Sequence, residues 1–267
     1  MRHLSRNIAK TERRQAASAQ CCSVRSFDGS RIDYDLYETS STNPVLVVPG
    51  FWRTREYGSM RRLGAFLCGM GLRAAILDPR GHGTSEGVFG FNRDEHHDVA
   101  AVARDVLERT GATRLTLMGF SAGGAIAISC AAIHDLPIAS LLLISPVANF
   151  RRVIPRLNPL TMHRHIALGQ ALHHRPRFEW RFRAGVRDAA EDIARVQAPV
   201  ALIHLKNDWL IDHAHSMELY EKANEPKELH IIDIPGNYHA DRIFNAAGRD
   251  VFPIMTSFLR RTIGGGE

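Results

Sequence analysis

Short apolar runs, five to seven residues long and rich in Val, Ile and Leu, recur along this chain at 44–49, 73–77, 114–119, 140–145, 199–205 and 228–234. Runs of that length predict strands. Between them apolar positions repeat at helical period over 57–70, 92–110, 122–133, 212–223 and 240–261, and Gly71 and Gly111 supply stop signals after two of these segments. Strands alternating with helices at this spacing predict an α/β fold, with a mostly parallel, doubly wound sheet covered on both faces. Upstream, 22–25 and 31–37 are joined by Phe27-Asp28-Gly29-Ser30 and predict an antiparallel hairpin ahead of the parallel part.

The alternation breaks once, at 148–197, where some fifty residues containing Pro155, Pro159 and Pro176 precede the next strand pattern. Connections this long are commonly functional. Its apolar residues, among them Ile154, Leu157, Met162, Leu168 and Trp180, predict an ordered helical cap. The expected organisation is a mobile basic tail at 1–18, a core formed by 19–147 and 198–267, and a cap or lid insertion at 148–197. No internal repeat is visible.

Charge refines this picture. The formal net charge of +6 resolves into a tail at 1–14 carrying +4, a stretch at 151–187 with nine arginines against Glu179 carrying +8, and a remainder of −6. A basic tail and a basic insertion on an acidic body point to local anion recognition rather than to a polyelectrolyte surface, and no nucleic acid partner is expected. No apolar run reaches the roughly 18 residues needed to span a bilayer, so a soluble, cytoplasmic protein without a membrane span is expected. Cys21, Cys22, Cys68 and Cys130 suit buried thiols better than a disulfide or metal framework, and no structural metal or cofactor is expected. His96-His97 and His173-His174 read as solvated helix or cap residues.

The chemistry concentrates at Gly119-Phe120-Ser121-Ala122-Gly123, which follows a strand pattern and passes directly into a helix pattern. G-x-S-x-G alone arises by chance in about one chain in ten of this length. The strand before and the helix after make it a nucleophile elbow, where a strained hairpin lifts the serine hydroxyl clear of the sheet and small neighbours relieve crowding. A serine hydroxyl needs a base and an orienting acid. Asp208 follows the strand at 199–205 and His239 follows the one at 228–234, so both fall at the carboxyl edge of the sheet beside Ser121. Asp212 is the rival acid; His82, His204 and His230 are rival bases. An oxyanion would face two backbone amides: Ala122, directly after the nucleophile, and Phe51, after a tight turn at Gly50, with Trp52 as the adjacent possibility. Trp52, Phe120 and Trp209 are the expected substrate contacts.

The elbow, Asp208, Gly236-Asn237-Tyr238-His239 and the loop Asp78-Pro79-Arg80-Gly81-His82-Gly83-Thr84-Ser85 together resemble the α/β-hydrolase superfamily of serine esterases, lipases and thioesterases, over about residues 22–262. The resemblance implies the α/β-hydrolase fold with a small helical cap, and a loop at 78–85 packed beside the oxyanion site. Thr84-Ser85-Glu86-Gly87 is similar to monoacylglycerol-lipase-like members, while Pro49-Gly50 stands where the family often has His-Gly. A narrower similarity, through Gly50-Phe51-Trp52-Arg53, Asn207-Asp208-Trp209 and His239-Ala240-Asp241, is to the acyl-transferase or myristoyl-thioesterase branch of bacterial luminescence systems, which lacks the second elbow glycine present here as Gly123.

The expected function is serine-dependent hydrolysis of a carboxylic ester or thioester through an acyl-enzyme. Serine at the elbow disfavours dehalogenase and epoxide-hydrolase chemistry, which uses a carboxylate there. The alternatives are an acyltransferase or an acyl-carrier or CoA thioesterase, with the arginine-rich cap holding an acidic carrier or phosphopantetheine phosphate, and a non-catalytic small-molecule-binding protein on the same fold.

Overall fold

The structure is a computed structural model that describes residues 19–39, 43–153, 175–179 and 185–263. Strands β1 (Ala19–Arg25), β2 (Arg31–Tyr37), β3 (Val45–Val48), β4 (Ala74–Leu77), β5 (Leu115–Phe120), β6 (Ile138–Ile144), β7 (Val200–Leu205) and β8 (Lys227–Ile232) form one sheet in the order β1-β2-β4-β3-β5-β6-β7-β8. β1 pairs antiparallel with β2, and β2 with β4. All other pairs are parallel. The strand order reverses direction between β3 and β5, so their outgoing loops diverge and leave a crevice at the carboxyl edge of the sheet.

The main helices are α1 (Gly58–Gly69), α2 (Glu95–Thr110), α3 (Ala122–Ile133), α4 (Phe150–Val153), α5 (Ala189–Asp192), α6 (Ala214–Lys222) and α7 (Ile243–Ile263). Strand side chains alternate between two cores, as a period of two requires. Leu46, Val48, Leu115, Leu117, Leu141 and Leu143 pack with α2, α3, α5 and α6. Val45, Val47, Met118, Phe120, Leu142 and Ile144 pack on the opposite face with α1 and α7. Because both faces are covered, the central strands are buried throughout and their sequences carry no polar alternation.

Two predicted helix starts move. The helix expected from 92 begins at Glu95, because Phe91 and Asn92 take left-handed φ of 57° and 76° and the buried Glu95 carboxylate binds the amides of Gly90 and Asn92. The helix expected from 240 begins as a 3-10 turn, Ala240–Arg242, and Ala247 (φ −126°) interrupts α7. The expected tail at 1–18 and most of the cap, 154–174 and 180–184, lie outside the described residues. The end of that insertion joins the body of the protein: Ala189, Ala190 and Ile193 are buried in the core, and Ser129 donates to Asp192 at 2.6 Å. Among the described residues no helix is long and apolar enough to cross a membrane. Cys22, Cys68 and Cys130 are buried thiols as expected, whereas Cys21 is exposed.

Glycine sets how closely α3 approaches the sheet. A Cβ at Gly123 would lie 2.1 Å from the Val48 carbonyl oxygen and 2.4 Å from that of Pro49; one at Gly119 would lie 2.6 Å from the Gly124 Cα. Backbone stands on both sides, so neither collision is relieved by a side-chain rotation. Gly123→Ala is expected to destabilise the protein by about 3 kcal/mol or more in urea melts. Gly69→Ala, at a helical position with nothing within 4 Å of the added atom, is expected to be neutral or to stabilise by up to about 1 kcal/mol.

Candidate active site

Ser121 closes β5 and precedes α3, with φ 52° and ψ −118°. A non-glycine residue rarely holds that conformation without strong support from its surroundings. Support comes from both sides: the Ser121 amide donates to the Ile144 carbonyl at 3.0 Å, and the Ser121 carbonyl accepts from Gly124 at 3.0 Å and Val147 at 3.2 Å. Gly50 sits against the same turn, where a Cβ would lie 3.1 Å from both the Phe120 carbonyl oxygen and the Ser121 Cβ.

The sequence-predicted base and acid meet this serine. The Ser121 hydroxyl lies 2.8 Å from Nε2 of His239, and His239 Nδ1 lies 2.8 Å from Oδ2 and 3.0 Å from Oδ1 of Asp208. Since a carboxylate only accepts, Nδ1 carries the proton and Nε2 is left to accept from the serine. Asp208 is buried. Burial alone would raise its carboxyl, but the His239 imidazole, the neighbouring His204 and the Ile211 amide hold it below its ordinary value. Oδ1 also accepts from the amides of Leu210 and Ile211, both at 3.0 Å. The rival Asp212 instead caps Ala214 at the start of α6.

The rival histidines have other partners. His204 accepts at Nδ1 from the Ser216 hydroxyl (2.6 Å) and donates from Nε2 to the Ile211 carbonyl (2.9 Å). Burial drives it down to about 4, so it is neutral and backs the Asp208 loop. His230 pairs with Glu228 on the last strand. His82, placed by the sequence in a Gly-rich turn, has a part that its composition did not reveal. It donates from Nδ1 to the Arg80 carbonyl (3.1 Å) and accepts at Nε2 from the Trp52 amide (3.0 Å). Burial pushes its basicity down to about 4, keeping the acceptor nitrogen bare.

The two amides considered after β3 differ in their partners. Trp52 spends its N–H on His82, while among the described residues the Phe51 amide has no acceptor. The turn also differs from expectation: Trp52, with φ 69°, is the left-handed residue, and Gly50 is needed for close approach rather than for a positive φ. The loop at 78–85 braces this turn. Asp78 accepts from the Arg55 amide (2.7 Å) and guanidinium (2.5 Å), and Arg80 is clamped by Asp98 through two 2.7 Å bonds. On the other flank Asp241 accepts from Arg53 Nε (3.0 Å) and the Ser59 hydroxyl (2.6 Å), tying the loop that carries His239 to the loop after β3.

Phe51, Trp52, Ser121, Ala122, Trp209 and His239 all border one cleft. Its walls are mainly apolar, and Met60, Phe91, Phe150, Val153 and Ile211 join the expected residues there. Phe120 lines the cleft floor but is fully buried and packs into the core beside Phe244. Phe51 is surrounded by Phe89, Phe91, Phe178 and His82, with ring centroids 5.2–5.5 Å away. Phe89 and Phe91 went unnoticed in the sequence; their signal was a pair of aromatics at spacing two directly after the 78–85 loop. Five of the nine cap arginines at 151–187 fall within the described residues: Arg152 pairs with Glu218, Arg177 donates to the carbonyls of Ser85 and Gly87, Arg187 pairs with Asp192, and Arg151 and Arg175 are exposed.

Comparison with known proteins follows the same line. The lysophosphatidylserine lipase ABHD12 of Danio rerio is 26% identical over 209 residues, which is 74% of this chain and 52% of that protein. The chain thus spans about half the length of the curated relative it matches. The Pyrococcus furiosus esterase Pf2001 superposes with a TM-score of 0.75 at 20% identity, covering 92% of this chain and 94% of that one. DcsB in complex with its substrate analogue gives 0.77 at 18% identity, covering 92% and 100%. The model of the serine aminopeptidase S33 family matches residues 40–174, half of the chain, including β3, the 78–85 loop and the Ser121 elbow. The chain belongs to that family and is an α/β-hydrolase of the serine-hydrolase type.

Proposed function

We propose that this protein hydrolyses carboxylic esters with an apolar acyl group, using Ser121 as nucleophile, His239 as general base and acid, and Asp208 as the group that orients His239. The reading rests on the unbroken line of hydrogen bonds from Asp208 through His239 to Ser121, 2.8 Å at each step, opening onto an apolar cleft. His239 takes the serine proton as Oγ attacks the carbonyl carbon. The resulting oxyanion faces the amides of Phe51 and Ala122, the second at the positive end of the α3 dipole. Collapse expels the alcohol, which leaves with the proton held on His239, and an acyl-enzyme remains. Water, deprotonated by His239, attacks the acyl carbon; Oγ departs as the acid is released and recovers the proton.

An ester is favoured over a carrier-bound thioester because three of those five described cap arginines, Arg152, Arg177 and Arg187, are engaged by the protein itself. The lipase activity in the name of the Danio rerio relative is consistent with a fatty-acyl ester. We further propose that the insertion at 148–197 caps the cleft; the pairing of Phe178 with Phe89, next to Phe51, supports this.

Ser121→Ala is expected to abolish labelling by a fluorophosphonate probe and to reduce ester turnover by about four orders of magnitude, and Asp208→Asn to cost a similar factor in kcat. Unchanged labelling after replacing Ser121 would overturn the assignment. On a series of nitrophenyl esters, each methylene that enters the cleft is expected to raise kcat/KM by up to about fourfold, the equivalent of about 0.8 kcal/mol. Acyl-CoA thioesters run alongside would have to turn over faster than every ester to reverse the preference.

A further inference from the structure

At the end of α3 remote from Ser121, three histidines converge that take no part in the cleft. His96 and His97 lie in the first turn of α2, and His134 follows the last residue of α3. One ring nitrogen from each lies within 4.8 Å of the other two. His96 Nδ1 is 3.0 Å from His134 Nε2. In the sequence His96 and His97 read as solvated. Instead His96 is buried, and the three rings pack on one another with centroids 4.1–5.3 Å apart.

A buried histidine ordinarily finds a carbonyl or hydroxyl, as His82 and His204 do here. His96 differs: among the described residues its ring bonds only to another imidazole, and neither ring nitrogen of His97 has a hydrogen-bond partner. We propose that His96, His97 and His134 form a binding site for a borderline divalent transition-metal ion of the zinc class, fastening the start of α2 to the end of α3.

Zinc binds imidazole nitrogen at about 2.0–2.1 Å in tetrahedral geometry, which separates neighbouring nitrogens by about 3.3 Å. The His96–His134 pair is already near that edge, and the widest separation exceeds it by at most about 1.5 Å, within reach of side-chain adjustment. On binding, the ring that donates in the His96–His134 bond shifts its hydrogen to its other nitrogen, so that both facing nitrogens can bind the ion. His97 and His134 also border an open surface depression with Asp105 and Glu108, which gives the ion an entry path and room for a water as fourth ligand. Arg104 lies in the same depression and opposes a cation, which implies moderate affinity. Phe27 packs against His97 with tilted rings, centroids 4.4 Å apart, and limits its ring positions. Twelve residues of α3, about 18 Å, separate the site from Ser121, so the ion stiffens the helix that carries the nucleophile rather than joining the chemistry.

The test is zinc titration of the chelator-stripped full chain by calorimetry, beside the His97→Gln/His134→Gln variant. Wild type is expected to bind one equivalent with micromolar or tighter affinity and to gain thermal stability; the variant is expected to lose at least tenfold in affinity together with that gain, while esterase activity stays unchanged. No uptake by wild type, or equal uptake by the variant, overturns the proposal. Should the variant fold poorly, Cu²⁺ added to wild type decides by NMR: line broadening centred on residues 96, 97 and 134 supports the site, and broadening centred elsewhere overturns it.

Discussion

The closeness of α3 to strands β3 and β5 is the constraint on which the cleft depends. Gly123 allows the helix to rest on the Val48 and Pro49 carbonyls, Gly119 allows it to turn back on its own strand, and Gly50 lets the next loop touch Ser121. Any side chain at these positions would push the helix outward and carry the serine with it. The strain at Ser121, with φ 52°, is the local cost of this approach, and two buried cores on either side of the sheet hold it in place. The amide of Ala122 lies at the cleft because the helix begins where the strand ends.

Around that contact, loops that lack regular structure are fixed by charge. Asp78 with Arg55, Arg80 with Asp98, and Asp241 with Arg53 and Ser59 are nearly or fully buried. Removing one partner from such a pair leaves an uncompensated buried charge, which typically costs about 3–5 kcal/mol. Their value here is positional. Asp78 and Asp241 grip the segment just after β3 from opposite sides, so the Phe51 amide is held between two anchors rather than on a free loop.

Three histidines near the carboxyl edge illustrate how burial and partners divide labour among identical side chains. His82 and His204 are deeply buried, each with both ring nitrogens satisfied, and each stays neutral. They hold the Trp52 amide and the Asp208 loop respectively. His239 alone bonds a carboxylate with one nitrogen and faces the serine with the other.

The order of strands and helices, the hairpin ahead of them, and the placing of Ser121, Asp208 and His239 at one edge of the sheet were legible in the sequence, because each follows from local rules: a strand or helix period, a turn composition, a residue type just past a strand end. Helix starts at Glu95 and Ile243 were misjudged by three residues, since left-handed backbone at Phe91 and Asn92 and a 3-10 turn at Ala240–Arg242 override the apolar period. What only the tertiary structure decided were the pairings between distant segments: His82 with Trp52, Asp241 with Arg53, Phe51 within its aromatic ring cluster, and His96 with His134, 38 positions apart. Periodicity constrains which face a residue takes and not which residue it meets; that choice belongs to the packing of α2, α3 and the crevice loops around one sheet.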